Sequence, residues 1–134
     1  MIPRFHLAFP VRELSEARAF YGDLLGCPEG RSSTEWADFF GHGAHLSPNE
    51  IAHKAYNQVD GEKVPGRHFG VILVMDEWRE LAEKLKRANA DFVIAPSVRF
   101  IRQNGEQATF FINDPSGNTL EFKNFHDETR IFAR

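Results

Sequence analysis

The chain alternates segments of two-residue periodicity with segments of helical periodicity. Residues 5–11, FHLAFPV, alternate between an apolar face and a face that carries His6, which predicts a strand whose histidine points away from the apolar side. Apolar residues at helical spacing then predict a helix over 13–26, with Gly26 placed to end it. Residues 27–47 hold short apolar runs broken by glycine and proline, and they predict two or three short strands.

The same order of elements returns in the second half. A strand is predicted over 68–74, a helix over 75–90, and further strands over 91–96, 108–114 and 119–125. We therefore predict an α+β fold of two βαβββ modules in one domain. The predicted parts are module one over 1–48, a linker or lid over 49–66, module two over 67–126, and a tail over 127–134.

The repeat places two histidines at equivalent positions. His6 and His68 each stand near the start of the first strand of their module, with Ala8 and Gly70 two residues further on and on the same face. If the two modules pack about a pseudo-twofold axis, the two imidazoles are brought near each other.

A carboxylate in the last predicted strand joins this pattern. Glu121 alternates with Leu120 and Phe122, so it faces away from the helix-covered side, as both histidines do. Two imidazoles and one carboxylate form a nitrogen and oxygen set suited to a divalent transition metal with open positions. The alternative is that the two histidines are structural and that Glu121 is an ordinary exposed strand residue.

Composition narrows the class of protein. The 134 residues, 42% hydrophobic and 26% charged, are typical of a globular protein. A net charge of -3 gives no broad attraction to nucleic acid or to anionic membranes, and no apolar run is long enough to span a bilayer. Cys27 is the single cysteine, so no internal disulfide can form. We expect a cytoplasmic protein with a small-molecule ligand and neither nucleic acid nor a membrane as partner.

Two longer motifs carry a family resemblance. ARAFYGDLLG after the first strand, and DPSGNTLEF near the end, resemble the vicinal oxygen chelate superfamily, which includes glyoxalases, bleomycin and fosfomycin resistance proteins, and extradiol dioxygenases. The resemblance implies two βαβββ modules whose curved sheet forms a half-open barrel around a metal held by His6, His68 and Glu121. Small members of this superfamily are commonly homodimers, which we also expect here.

Within the superfamily, WADFFGH and GEQATFFINDPSGN look most like small predicted extradiol-type dioxygenases. This implies an oxidoreductase that cleaves the ring of a catechol-like diol with O2, with Fe(II) as the first-choice metal and Mn, Ni or Zn as alternatives. Aligning 41–45 on 117–121 sets His45 opposite Glu121. His45 is then a metal ligand, a catalytic base for the diol, or a solvent-facing loop residue, and we name it as the candidate base.

Other readings of the resemblance stay open. The chain could be a glyoxalase I-like isomerase, a fosfomycin-type metal-dependent transferase, or a metal-free protein that binds an antibiotic.

Arg99 and Arg102 lie in a long predicted connection, residues 97–107. Their guanidinium groups either bind a substrate carboxylate or belong to a solvated charged hairpin.

Overall fold

A computed structural model of the chain describes residues 6–39, 42–47, 56–103, 106–127 and 129. The chain divides into two compact units: Met1–Ala52 with Asp114–Asn118, and His53–Asn113 with Thr119–Arg134. None of the helices in the described ranges has the length and apolar character needed to cross a membrane.

The first unit contains a four-stranded sheet with one helical segment. Its elements are β1 Ala8–Val11, α1 Leu14–Ala17, a π-helical stretch Arg18–Leu24, β2 Glu29–Ser32, β3 Trp36–Phe39 and β4 His42–Leu46. The strand order is β1-β4-β3-β2, with β1 parallel to β4 and the other neighbours antiparallel. This is one βαβββ module.

The helical segment packs on the sheet through Tyr21. Its ring stacks on Phe39 and contacts Phe9 on β1, with ring centroids 5.6 and 5.2 Å apart respectively. The segment ends before Gly26, whose φ of +74° suits a residue without a side chain at a helix end. The helix predicted over 13–26 is therefore present, although more than half of it has π rather than α geometry.

The loop Asp114–Asn118 belongs to this first unit and is held by a buried carboxylate. Asp114 accepts hydrogen bonds from the Tyr21 hydroxyl at 2.9 Å and from the Asn118 main-chain NH at 2.8 Å. The Asn118 amide nitrogen also donates to the Pro10 carbonyl at 2.7 Å. The conspicuous DPSGN motif thus has a structural role, since its polar groups satisfy one another and anchor the loop.

The second unit repeats the module and adds a hairpin. Its elements are β5 Tyr56–Val59, β6 Glu62–Pro65, β7 Phe69–Ile72, α2 Met75–Arg87, β8 Phe92–Arg99, β9 Gln107–Asn113 and β10 Thr119–Phe125. The main sheet has the order β7-β10-β9-β8, with β7 parallel to β10. The α+β class and the two βαβββ modules expected from the sequence are confirmed, and each module forms an open sheet of four strands.

Both faces of the second sheet are covered at its central strands, β9 and β10. On one face α2 packs through Trp78, whose ring lies 5.5 Å from Phe110 and whose indole NH donates to the Phe122 carbonyl at 2.9 Å. On the other face the β5–β6 hairpin packs through Val64 onto Phe111. Most residues of β9 and β10 are consequently buried on both sides, and these include polar ones such as Thr109 and Glu121.

The segment over 49–66, predicted as a linker or lid without regular structure, contains the β5–β6 hairpin in its described part. The two strands are joined at Asp60 and Gly61, which both have positive φ, +46° and +80°. This is the backbone of the two-residue turn that Asp-Gly favours in hairpins. The connection predicted over 97–107 is likewise shorter than expected, because β8 continues to Arg99.

Candidate metal centre and adjoining cavity

Two of the predicted metal ligands lie side by side in the second unit. His68 immediately precedes β7 and Glu121 lies on the adjacent strand β10, with His68 Nε2 3.3 Å from Glu121 Oε2. The His68 side chain is 30% exposed, whereas that of Glu121 is only 8% exposed. A carboxylate and an imidazole nitrogen thus converge at the rim of a buried face.

The other imidazole nitrogen of His68, Nδ1, forms a hydrogen bond with the main chain. Its Nδ1 lies 2.7 Å from the Pro65 carbonyl oxygen, which can only accept, so Nδ1 carries a proton and donates it. In the neutral imidazole the lone pair therefore resides on Nε2, the nitrogen that faces Glu121. Metal-binding histidines are commonly oriented by such a donor bond to a carbonyl.

Glu121 is held as an anion although it is buried. Its Oε1 accepts from the Thr109 hydroxyl at 2.8 Å, and Lys123 Nζ lies 3.3 Å from Oε2. Burial alone would raise its pKa, but the hydrogen bond from His68 and the charge of Lys123 outweigh burial and lower the pKa. The hydrogen bond to Glu121 in turn raises the pKa of His68. A metal binding here would displace the proton from Nε2.

A glycine allows the two strands to approach beneath this pair. Gly70 lies opposite Glu121 in the β7–β10 register, and a Cβ atom at position 70 would collide with the main-chain carbonyl of Glu121. The small residue two positions after His68 is therefore a steric requirement of the close backbone approach.

His6 lies in the first unit, just before β1, where it is exposed. In the part of the chain that the structure describes, no three His, Cys, Asp or Glu side chains come close enough together to hold a metal ion. The residues present fit a divalent metal in donor type and tautomer, with two converging donors in the second unit. His6 as the third ligand stays a prediction.

The strand register changes the counterpart of Glu121 in the first unit. Gly43 lies opposite Ala8, as Glu121 lies opposite Gly70, whereas His45 pairs with Pro10. By this register the counterpart of Glu121 is Gly43, and His45 lies two residues further along β4. However, a Cβ atom at Gly43 would lie 3.0 Å from His45 Nε2, so the imidazole covers the position that corresponds to the Glu121 side chain. Its role as base or ligand stays a prediction.

A cavity of about 310 Å³ adjoins the His68–Glu121 pair within the second unit. Its apolar wall includes Val59 and Val64 of the hairpin and Phe111 of β9. Its polar lining consists of His68, Arg99, Gln107, Glu121 and Lys123. A pocket with an apolar wall and a few convergent polar groups is the usual form of a small-molecule site.

Of the two arginines predicted to bind substrate, Arg99 lines this cavity and Arg102 does not. Arg99 ends β8, is 3% exposed, and donates from Nε and Nη2 to Glu62 Oε2 at 3.0 and 2.7 Å. Arg102 is exposed beyond the strand, at a φ of +60°. Substrate binding by either residue stays a prediction.

Sequence reasoning did not single out several polar residues that line this cavity or that hydrogen-bond to its lining. The alternation of side chains along a strand could have indicated Lys123 and Thr109. Lys123 shares a face with Glu121 on β10, and Thr109 shares one with Phe111 on β9. Glu62 could not be found without the hairpin, whose one sequence signal was the Asp-Gly pair at positions 60 and 61.

Comparison with known proteins places this geometry in a family. The model of the Glyoxalase/Bleomycin resistance protein/Dioxygenase superfamily matches residues 5–122. A glyoxalase/bleomycin resistance protein/dioxygenase from Alicyclobacillus acidocaldarius has 34% identity and a TM-score of 0.79, over 96% of this chain and 95% of that one. No curated protein sequence matches the chain significantly.

More distant structures share the fold alone. A fosfomycin resistance protein from Listeria monocytogenes has 18% identity and a TM-score of 0.68, over 98% of this chain and 100% of that one. A lactoylglutathione lyase from Agrobacterium tumefaciens has 16% identity and a TM-score of 0.67, over 98% and 97%. By the family match and the 34% identical structure, the chain belongs to the glyoxalase/bleomycin resistance protein/dioxygenase superfamily.

Proposed function

We propose that the protein is a metal-dependent oxidoreductase that cleaves a catechol-like aromatic diol with O2 in the extradiol manner. The observation that carries the proposal is the convergence of His68 Nε2 and Glu121 Oε2, 3.3 Å apart, beside a cavity with an aromatic wall. The resemblance adds His6 as the third ligand, Fe(II) as the metal and a homodimer as the assembly, and the composition of the chain favours the cytoplasm as the location.

Each residue of the proposed site has a task that its surroundings support. His68, fixed by the Pro65 carbonyl, and Glu121, kept ionised by Lys123 and Thr109, would hold the metal together with His6. When bound, Fe(II) would supply the open positions at which a diol and O2 react, and Mn, Ni or Zn are the alternative ions.

The apolar wall would exclude water from the aromatic ring of the substrate. The Phe111 ring meets the His68 imidazole edge to face, with centroids 5.1 Å apart, and Val64 packs against Phe111. A flat aromatic ligand fits such a wall better than a highly hydrated one. In this scheme the imidazole of His45 accepts a hydroxyl proton of the diol, and Arg99 and Arg102 contact the substrate.

Oxygen uptake by anaerobically purified protein reconstituted with Fe(II) tests the proposal. We expect O2 consumption that depends on an added catechol, and a decrease of about a hundredfold or more in His45→Ala. His126→Ala is the matched control, because the His126 side chain is 77% exposed and lies outside the proposed site.

The failure of this experiment is informative. Protein that binds the metal but consumes no O2 with any diol would contradict extradiol chemistry. Thiol adducts of 2-oxoaldehydes and epoxides would then be the next substrates, since they test the isomerase and transferase readings. Protein that takes up no metal would leave the binding-protein reading.

A further inference from the structure

Arg99 and Gln107 form a polar corner of the cavity in the second unit. The two residues are direct cross-strand neighbours on β8 and β9, so their side chains share a face. Both are buried, with Arg99 3% and Gln107 7% exposed, and both line the cavity. Polar side chains with so little exposure normally have all their hydrogen-bonding groups engaged.

These two side chains retain unused hydrogen-bonding capacity. Both hydrogen bonds of the guanidinium go to a single oxygen of Glu62, from Nε and Nη2. Among the described residues, neither Nη1 of Arg99 nor the carboxamide of Gln107 has a protein hydrogen-bond partner, and neither is a fully buried unsatisfied group. The free edge of the guanidinium and the amide therefore open into the cavity.

Glu62 orients the guanidinium without filling its free edge. The Glu62 side chain is 38% exposed on the hairpin, whereas that of Arg99 is 4% exposed. A cation–π contact with Phe111 also holds the guanidinium group in place, since its central carbon lies 5.2 Å from the centre of the Phe111 ring. A rigid guanidinium with one edge free is suited to bidentate binding of a planar carboxylate.

The corner and the candidate metal ligands lie within reach of one small ligand. His68 and Arg99 both contact Phe111, whose centroid is 5.1 Å from the His68 ring centre and 5.2 Å from the Arg99 guanidinium carbon, so those two groups are at most about 10 Å apart. One substituted benzene ring lying along Phe111 reaches from one group toward the other.

We propose that Arg99 and Gln107 form a carboxylate subsite, so that the substrate is an aromatic diol carrying a carboxylate on the side of the ring away from the diol. The proposal rests on the proposed function for the diol, whereas the subsite rests on the cavity alone. Arg102 is exposed and does not line the cavity, so it is not part of this subsite, and its contact with the substrate stays a separate prediction.

Binding of a matched ligand pair tests the subsite without turnover. The probes are 3,4-dihydroxybenzoate and 3,4-dihydroxybenzamide, which differ in charge but hardly in shape, titrated by calorimetry into the full chain loaded with redox-inert Zn²⁺. We expect the acid to bind about tenfold more tightly than the amide, because hydrogen bonds to a charged group are the stronger ones.

Three variants assign this preference. Arg99→Met should bring the affinity ratio of acid to amide close to one, and Gln107→Leu, which changes no charge, should lower it roughly threefold. Arg79→Met removes an exposed arginine of α2 and should leave the ratio unchanged. A wild-type ratio near one, or a ratio that survives both cavity substitutions, would overturn the subsite.

A second ligand pair separates this proposal from the proposed function. 4-Methylbenzoate and 4-methylbenzamide lack the diol and are titrated into metal-free protein. If the acid is preferred here while no diol supports O2 uptake, the subsite stands and the extradiol reaction fails. If diols support O2 uptake but acid and amide bind alike in both pairs, the reaction stands and the subsite fails.

Discussion

At the scale of single residues, the candidate site depends on how His68 and Glu121 control each other's charge. The Pro65 carbonyl fixes one imidazole nitrogen, and Glu121 faces the other. Without metal the pair is stable as imidazolium and carboxylate, which explains the raised pKa of His68 and the lowered pKa of Glu121. With metal, both atoms become available as ligands at the loss of one proton.

The stability of the metal-free protein should follow the charge of this pair. Because the pKa of His68 is raised on folding, its contribution is fully present below the unfolded histidine pKa of about 6.5 and is lost as the pH rises through the folded pKa. The contribution of Glu121 is present above its unfolded pKa and is lost as the pH falls through its lowered folded pKa.

Urea denaturation across pH, with wild type and His68→Gln compared, measures this contribution. We expect the difference in the free energy of unfolding to be about 1 kcal/mol near pH 6, discounted for the partly exposed imidazole, and to shrink toward about pH 9. His126→Gln, at an exposed histidine, should show no comparable trend. A difference for His68→Gln that stays constant over this range would mean that the pair is not ionised as described.

The two-residue alternation of the strands predicted which face His68 and Glu121 occupy, but it did not predict their contacts. The alternation of Glu121 with Leu120 and Phe122 was sufficient to place the carboxylate away from α2. Its burial could not be predicted, because the β5–β6 hairpin that covers this face was not recognised. The hydrogen bond from Thr109 joins residues 12 positions apart and depends on the β9–β10 register, which periodicity does not specify.

At the scale of elements, β7 determines whether the two ligands can meet. It is a short strand of four residues, Phe69–Ile72, at the edge of its sheet, and among the described strands it pairs with β10. Gly70 permits the close approach of the two backbones directly under the His68–Glu121 pair. The strand predicted over 68–74 corresponds to β7, which begins one residue later and ends two residues earlier.

Gly70→Ala should therefore separate β7 from β10 and weaken metal binding, because the new methyl group collides with the Glu121 carbonyl. We expect a loss of about 1–3 kcal/mol in the free energy of unfolding, and a weaker affinity for Zn²⁺ by titration calorimetry. Gly30→Ala is the matched strand control, since its Cβ atom would lie 3.6 Å from the nearest atom, an ordinary contact. Equal behaviour of the two variants would contradict this account of Gly70.

The elements that sequence reasoning missed were those set by turn chemistry. Asp60 and Gly61 form a hairpin turn within a polar stretch whose strands, Tyr56–Val59 and Glu62–Pro65, are too short for clear alternation. Arg99 was placed in a loop because the run after residue 96 turns polar, but β8 continues through it and pairs with β9 in regular register from Ser97 to Arg99. Tertiary pairing, rather than local pattern, decides such segments.

At the scale of the whole molecule, the duplication was the most informative feature of the sequence. Both modules have the predicted order of elements, and the repeated histidine with a small residue two positions later marks the same strand in each. The fold and family therefore followed from pattern and resemblance. The reaction did not, because proteins described as a fosfomycin resistance protein and as a lactoylglutathione lyase share this fold.

The net charge of the chain also conceals the chemistry of its cavity. The molecule as a whole has a formal charge of -3, yet Arg99 and Lys123 both line the pocket beside Glu121. The carboxylate subsite that we propose would thus be encoded locally, in side chains that the fold buries, and a sum over the sequence cannot reveal it.

The central claim is that His68 and Glu121 hold a divalent metal, and the most direct measurement is the metal content of anaerobically purified protein. Elemental analysis should find about one ion per chain in wild type and in His126→Ala, and almost none in His68→Ala or Glu121→Gln. Circular dichroism of each variant controls for folding. Wild-type protein that takes up no ion when supplied with Fe(II), Mn(II), Ni(II) or Zn(II), or folded His68→Ala that retains its ion, would contradict the claim.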